Sequence, residues 1–524
     1  MLRRVLICFA FATWCFLNTW VQLAEGRGSY YARYPPLGAV MLPVVCWQLL
    51  VALAMLGLWE VLRHRGWQDA AGWHFLFLMS CFVPLGIASL AILRTLPFTL
   101  VPLVRRPLFW PSVFLLSVSP LMFAMRRPRA VSRMMRGLFL YSWPVLAVVL
   151  IQGVRTGLRF PESDYADGPP VAAVQSGGER PRVVWVVFDE LSQEIAFANR
   201  PAGLQLPNLD RFRGESFYAS AARAPSAATE TSLPSLILGE HITETEPLGP
   251  GHVLLTLKGK SRRVEWGDTP NVFDTARRMG LNTALAGWYH PYGRLLNRSL
   301  TKCDWIAGRL LPGIEEPSQP RPLPRAMADR AHLQFIELPL VGHLPGVHPE
   351  EFHRKVAIER FSYLVGRAEQ MAADPSMGLV LLHLPVPHPP AIYNRSTERF
   401  TARDAVDYLD NLALADRTLG AIRLAIEAAG LWDRTALLVS SDHGWRRYLW
   451  RGGPDWTAEE EILSRGETMG VPFLLRLPHE KAGVSCDRRF DTVVSRRLIT
   501  AILDGSLTDP SRIGDAVVDV RPSP

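Results

Sequence analysis

The sequence predicts two structural classes in one chain: an all-α bundle of about five apolar helices, then an α/β domain with a parallel-type sheet flanked by helices. Three observations predict it. Long apolar runs crowd residues 1–157 of the 524-residue chain. A stretch rich in Pro, Gly, Ser and acids, residues 158–181, interrupts the pattern and reads as a linker. Beyond it, residues 182–524 alternate short β-branched runs with helical periodicity, as a sheet covered by helices requires.

The apolar runs fall at about Val5–Leu23, Leu37–Leu62, Phe75–Ile92, Leu108–Met125 and Leu138–Val154. Each is long enough to cross the hydrocarbon layer of a membrane. Arg3 and Arg4 before the first run also fit a cleaved signal peptide, but four further runs favour an uncleaved first helix. Arginine clusters set the orientation. Arg3 and Arg4, Arg63 and Arg65, and the group Arg126, Arg127, Arg129, Arg133 and Arg136 share one side if there are five crossings. That side is expected to be cytoplasmic, which places residues 158–524 outside, in the periplasm of a cell with an inner membrane. Arg105 and Arg106 oppose this count. The net charge of +8 is thus a matter of topology. No basic stripe interleaved with aromatics follows, so nucleic acid is excluded as a partner.

In the second part, Val183–Phe188, Gly378–Leu382 and Ala436–Ser440 are continuous apolar runs that suit buried parallel strands. Apolar spacing from Asp404 to Ala429 predicts a helix ended by Gly430. Ligands of such sheets bind beyond the carboxyl ends of strands. Asp189 and Glu190 follow the first run, His383 and His388 the second, and Asp442, His443 and Gly444 the third. Carboxylates and imidazoles converging on one edge are what a metal site needs, and the mixed donors favour Zn²⁺ or Mn²⁺ over Ca²⁺. The segment Ala224–Gly239 carries Thr229, Thr231 and Ser232 before Pro234, and reads as a helix start capped by Thr231 or Ser232, with Pro234 in its first turn. A hydroxyl there lies where the helix dipole favours an anion, and a nearby metal would make Thr229 a competent nucleophile.

These pieces resemble the alkaline phosphatase superfamily, in its sulfatase-like and phosphoethanolamine or phosphoglycerol transferase branches. The matching stretches are Val186–Glu190, Thr229–Gly239, Gly287–Gly293, His383–Pro390, the helix around Asp416, Ser440–Gly444 and Val471–Pro478, in that order. The resemblance implies a sulfatase-like sheet and a divalent metal held by Asp189, Thr229, Asp442 and His443, with Glu190 a ligand or a neighbour. It implies Thr229 as nucleophile, His388 beside the substrate anion and His290 on the substrate side. The Pro and Arg of the formylglycine motif do not follow Thr229, which points to threonine chemistry. No histidine follows within a dozen residues of Gly444. One metal site is therefore expected, a second stays open, and Arg446 is a candidate for holding the anion.

The implied activity is headgroup transfer from a phospholipid donor to a lipid or glycan acceptor, through a phospho-threonine. Two alternatives stand beside it: hydrolysis of sulfate or phosphate esters, and a membrane-tethered glycan-binding domain that has lost catalysis. Other residues draw bland readings. Trp288, Tyr289 and Tyr292 suit core packing, Asp416 a structural role, and His343, His348 and His353 an ordinary surface. His241 and His252 have no assigned role. Cys303 and Cys486 could pair in an oxidising compartment.

Overall fold

The computed structural model describes residues 1–24, 28–95, 126–174, 181–260, 263–308, 320–336, 348–451, 456–466 and 469–518. Its N-terminal part is helical: α1 (Leu2–Cys15), α2 (Leu17–Ala24), α3 (Leu42–His64), α4 (Ala71–Ser80), α5 (Phe82–Thr95), α6 (Pro128–Tyr141) and α7 (Trp143–Gly157). Among the described residues, two helices are long and apolar enough to cross a membrane, Leu37–His64 and Ala71–Ala88. Up to four spans result if the pairs α1/α2, bent by 68°, and α6/α7, bent by 43°, each count as one. The expected helix Leu108–Met125, with Arg105 and Arg106, lies outside the described residues, and so does His343. Arg129, Arg133 and Arg136 ride on α6, an amphipathic segment that leads into the fifth apolar run at a bend of 43°.

Eight strands form the central sheet: β1 (Arg182–Asp189), β2 (Phe217–Ala219), β3 (Asn282–Tyr289), β4 (Lys302–Ala307), β5 (Met377–Pro387), β6 (Thr435–Ser441), β7 (Phe473–Arg476) and β8 (Val484–Cys486). Their order is β8-β2-β7-β6-β1-β5-β3-β4. The five strands from β6 to β4 are parallel, and the apolar runs of β1, β5 and β6 suit such buried strands. The sheet as a whole is mixed, because β7 runs antiparallel to both β6 and β2. The apolar run of β7 suits a buried strand of either direction, so its composition could not reveal the reversal.

Alternation along β1 divides the core. Val184, Val186 and Phe188 face one layer, covered by α10 (Pro349–Ala372) and α11 (Tyr408–Ala428). Val183, Trp185 and Val187 face the other, covered by α8 (Thr229–Leu238) and α12 (Ser495–Leu503). Asp416 of α11 accepts hydrogen bonds from the Leu209 N–H at 2.7 Å and from Asn208 Nδ2 at 2.8 Å, tying α11 to the segment behind it. Cys303 and Cys486 are free thiols on β4 and β8, the two opposite edges of the sheet. At about 4.8 Å per strand they stand roughly 30 Å apart, well beyond disulfide reach.

The stretch before β1 lies along the α/β domain. The Gly168 and Val171 N–H groups donate to the Gly293 and Leu300 carbonyls, and Asn282 Oδ1 accepts from the Val174 N–H. From the helical part, Trp47 Nε1 of α3 donates to the Met327 carbonyl of α9 (Leu323–Ile336) at 2.8 Å.

Candidate metal centre

The site forms where β1, β6 and α8 end together. β1 pairs with β6 from Arg182 opposite Thr435 to Phe188 opposite Ser441. That register brings Asp189 level with Asp442, whose N–H donates to the Phe188 carbonyl at 3.2 Å. Thr229 is the first residue of α8 and is buried. The Ser232 hydroxyl, one turn on, donates to the Asp442 carbonyl and locks α8 to the turn after β6. The helix therefore begins at Thr229 after Ala228, with no side-chain cap, and Pro234 lies in its second turn. Ser232 is engaged in that tertiary contact instead, while the Thr231 hydroxyl stays local, 2.6 Å from that of Ser226 and 3.2 Å from the Ala228 carbonyl oxygen.

The polar ends of four buried side chains face one another. Thr229 Oγ1 lies 3.1 Å from His443 Nε2 and 3.3 Å from Asp189 Oδ2. His443 Nε2 lies 3.3 Å from both Asp189 Oδ1 and Asp442 Oδ2. The His443 Nδ1–H donates to the Gly444 carbonyl at 2.9 Å, so Nε2 presents a lone pair. Two carboxylates, an imidazole lone pair and a hydroxyl are thus all acceptors, with one hydroxyl proton among them. Asp189 Oδ1 and Asp442 Oδ2 are buried and receive no hydrogen bond among the described residues. Burial pushes the Asp189 carboxyl well above its usual range, with the Asp442 charge adding to the rise. Burial also lifts Asp442 to about 7 and holds His443 below its ordinary value, favouring its neutral, ligating form. A divalent cation supplies the missing positive charge, so this donor set fits one.

His383, inside β5, belongs to the same cluster. Its ligating nitrogen, an Asp189 oxygen and an Asp442 oxygen all lie within 4.8 Å of one another. Its Nδ1 lies 3.0 Å from the Trp288 carbonyl and 2.9 Å from the Tyr292 hydroxyl, while the buried Nε2 receives no hydrogen bond. The sequence placed His383 after a strand without giving it a role; the register of β5 against Val187 is what turns it inward. Tyr292 combines core packing with this contact.

Glu190 follows Asp189 with a φ of +71°, a left-handed conformation rare for a side-chain-bearing residue. An oxygen of Glu190 can reach Asp189 and His443, yet both its oxygens are engaged: Oε1 accepts from Arg446 Nε at 2.8 Å and Oε2 from Trp450 Nε1 at 2.9 Å. Arg446 also approaches Asp189 Oδ1 at 3.8 Å, at the edge of the cluster.

His388 and His290 stand further out. The His388 N–H donates to the Asp189 carbonyl at 3.1 Å, and its half-buried ring meets Trp288 edge-on at 5.0 Å. Asn411 splints the His388 loop by donating to the carbonyls of His388 and Pro390 at 3.2 and 3.0 Å. His290 is buried behind Thr229, with Nε2 3.4 Å from the Thr229 carbonyl oxygen, and burial pushes its imidazole down to about 3. His348 is exposed and His353 half-buried. His241 lies 3.7 Å from Asp491 and His252 3.6 Å from Glu265.

Comparison with known families decides what this edge belongs to. The sulfatase family matches residues 181–504, more than half of the chain. The chain belongs to the sulfatase family. Solved structures also match, at low identity and low TM-score. They include the phosphonate monoester hydrolase of Agrobacterium radiobacter, at 16% identity over 62% of this chain and 74% of that one, with a TM-score of 0.39. A Vibrio parahaemolyticus protein of the superfamily matches at 13% over 63% and 68%, with a TM-score of 0.38. The PsFucS1 sulfatase of a Pseudoalteromonas species matches at 14% over 62% and 68%, with a TM-score of 0.41. No curated protein sequence matches. The sulfatase domain supports a hydrolase-type enzyme, and its acidic and histidine cluster suits a divalent metal.

Proposed function

We propose that the chain is a membrane-anchored phosphotransferase that moves a phosphorylated headgroup from a lipid donor to a lipid or glycan acceptor at the outer, periplasmic face of the inner membrane. In this reading residues 1–157 anchor the protein, 158–181 link, and 182–524 form the catalytic domain. The observation that carries the proposal is the buried Thr229 hydroxyl, 3.1 Å from His443 Nε2 and 3.3 Å from Asp189 Oδ2. An inert helix cap has no need of that company.

Asp189, Asp442, His443 and the Thr229 hydroxyl would hold the cation, Zn²⁺ or Mn²⁺ by donor type, with His383 beside them. When bound, it lowers the hydroxyl pKa and offsets charge on the transferring group. Thr229 Oγ1 bonds to the donor's phosphorus, the bond from phosphorus to the lipid alcohol breaks, and the hydroxyl proton leaves for the departing oxygen. The acceptor hydroxyl then attacks the phospho-threonine and frees Thr229. His388 and Arg446 are assigned to the non-bridging oxygens, where donors stabilise charge in the transition state. Glu190 is assigned to hold Arg446, because both its oxygens are engaged there and at Trp450.

Hydrolysis of a sulfate or phosphate ester is the second reading, and the family match favours it. A glycan-binding domain without catalysis fits poorly, since the whole acceptor cluster is present. The test is Thr229→Ala in the full-length protein, assayed with aryl phosphodiesters, phosphomonoesters and sulfates side by side. Turnover should fall at least 1,000-fold, on the order of losing a nucleophile, while metal content is kept. A headgroup mass on Thr229 after exposure to phosphatidylethanolamine or phosphatidylglycerol supports transfer; turnover that survives the substitution rules Thr229 out.

A further inference from the structure

The helical half of the chain reaches into the site of the other half. Between α2 and α3 the chain makes one helical turn, Gly28–Tyr31, and this turn is sunk in the α/β domain. Tyr30 is 1% exposed and shares a buried cluster with Leu236, Trp266 and Tyr292, not with the apolar helices beside it in sequence. Its hydroxyl lies 3.0 Å from His290 Nδ1, and His290 Nε2 lies 3.4 Å from the Thr229 carbonyl oxygen. The Tyr31 hydroxyl donates to Glu230 Oε2 at 3.3 Å, next to Thr229, and its ring meets that of Tyr289 at 5.2 Å. The segment is tied down beyond these two side chains. Arg294 donates to the Ala32 carbonyl at 2.7 Å, and Arg33 donates to Asp167 at 2.8 Å while its guanidinium lies over the Trp305 ring.

The hydrogen bonds have a direction. A carbonyl oxygen only accepts, so His290 Nε2 carries the proton that reaches Thr229 and Nδ1 is the acceptor. The Tyr30 hydroxyl must then donate to Nδ1. Without it, Nδ1 is a buried acceptor lacking a donor, and nothing fixes the imidazole that holds the Thr229 carbonyl. Displacing the first residue of α8 moves Oγ1 away from Asp189 and His443, and a misplacement of about 1 Å costs a large factor in rate.

We infer that Tyr30 and Tyr31 are positioning residues of the Thr229 site, so that the segment following the first apolar helices holds the proposed nucleophile in place. The inference rests on the reading of Thr229 given above. The test uses the full-length protein in detergent, with bis(p-nitrophenyl) phosphate as probe. Tyr30→Phe keeps the ring and removes the donor. It should lower kcat about tenfold, with KM within about twofold, metal content unchanged, and little further loss when added to His290→Gln, since groups in one hydrogen-bond chain are non-additive. Amide exchange in the peptide 224–239 should quicken in the same variant, a readout that needs no turnover. Tyr31→Phe repeats the comparison through Glu230. Unchanged kcat with unchanged exchange overturns the inference, and so does a loss equally large in the His290→Gln background. Activity that survives Thr229→Ala instead overturns the nucleophile reading, and the exchange comparison still decides whether the tyrosines position α8.

Discussion

Two charged clusters lie side by side at the carboxyl edge of the sheet and follow opposite rules. Around Glu190, each carboxylate oxygen meets a donor, Arg446 Nε on one side and Trp450 Nε1 on the other. Around Asp189, Asp442 and His443, acceptors face acceptors. The carboxylates of both clusters are fully buried, so burial alone does not separate them. The difference teaches that Glu190 is complete within the protein, whereas its neighbour is complete only with a cation. Buried polar groups left unsatisfied are costly, and such a cost persists where a ligand relieves it.

The sharpest way to break this comparison is Asp442→Asn. If the acceptor cluster exists for a cation, metal content by elemental analysis should collapse, and turnover with it, by at least 100-fold. A metal-replete, active variant would remove the distinction between the clusters. Glu190→Gln probes the other cluster. It should keep the metal, but cost about 3 kcal/mol in chemical denaturation, because it breaks a buried ion pair. Loss of metal in this variant would move Glu190 into the ligand set.

Away from both clusters, Asp416→Ala should cost about 2 kcal/mol by orphaning the buried Leu209 N–H, with metal content unaffected. A pH dependence, not a fixed loss, is expected at Asp407, the N-terminal cap of α11. Burial, with Asp410 and Glu460 nearby, lifts its carboxyl from the ordinary 3.8 to about 7. The native state therefore keeps a proton that the unfolded chain releases. The stability Asp407 contributes is whole below about pH 4 and is lost as pH rises through about 7. Thermal midpoints of the wild type should fall relative to Asp407→Asn across that window; parallel curves would contradict the assignment.

Much of this edge was legible in the sequence because parallel strands announce themselves. An apolar run followed by Asp189, or by Asp442 and His443, gives both a strand and what lies beyond its end. The pieces that escaped share one feature, dependence on what lies next to them in space. His383 sits inside β5, where alternation alone suggests a core residue, and only pairing with β1 and β3 aims it at Asp189. Trp450 is far from Glu190 in sequence, and Tyr30 lies 260 residues before His290. Nothing local to Ser232 distinguishes a helix cap from a tertiary tether. The antiparallel β7 was hidden for the same reason, since a buried strand's composition is the same in either direction.

What the sequence determined by itself was the division into apolar helices and an α/β domain, and the chemical types gathered at the sheet's edge. Periodicity and hydrophobicity are local properties, and they survive in a one-dimensional reading. Tertiary structure alone decided which carboxylate is paired and which is left wanting, which histidine turns inward, and that the N-terminal segment reaches the site. Those outcomes depend on distances of about 3 Å between residues far apart along the chain, and only strand register and helix packing set such distances.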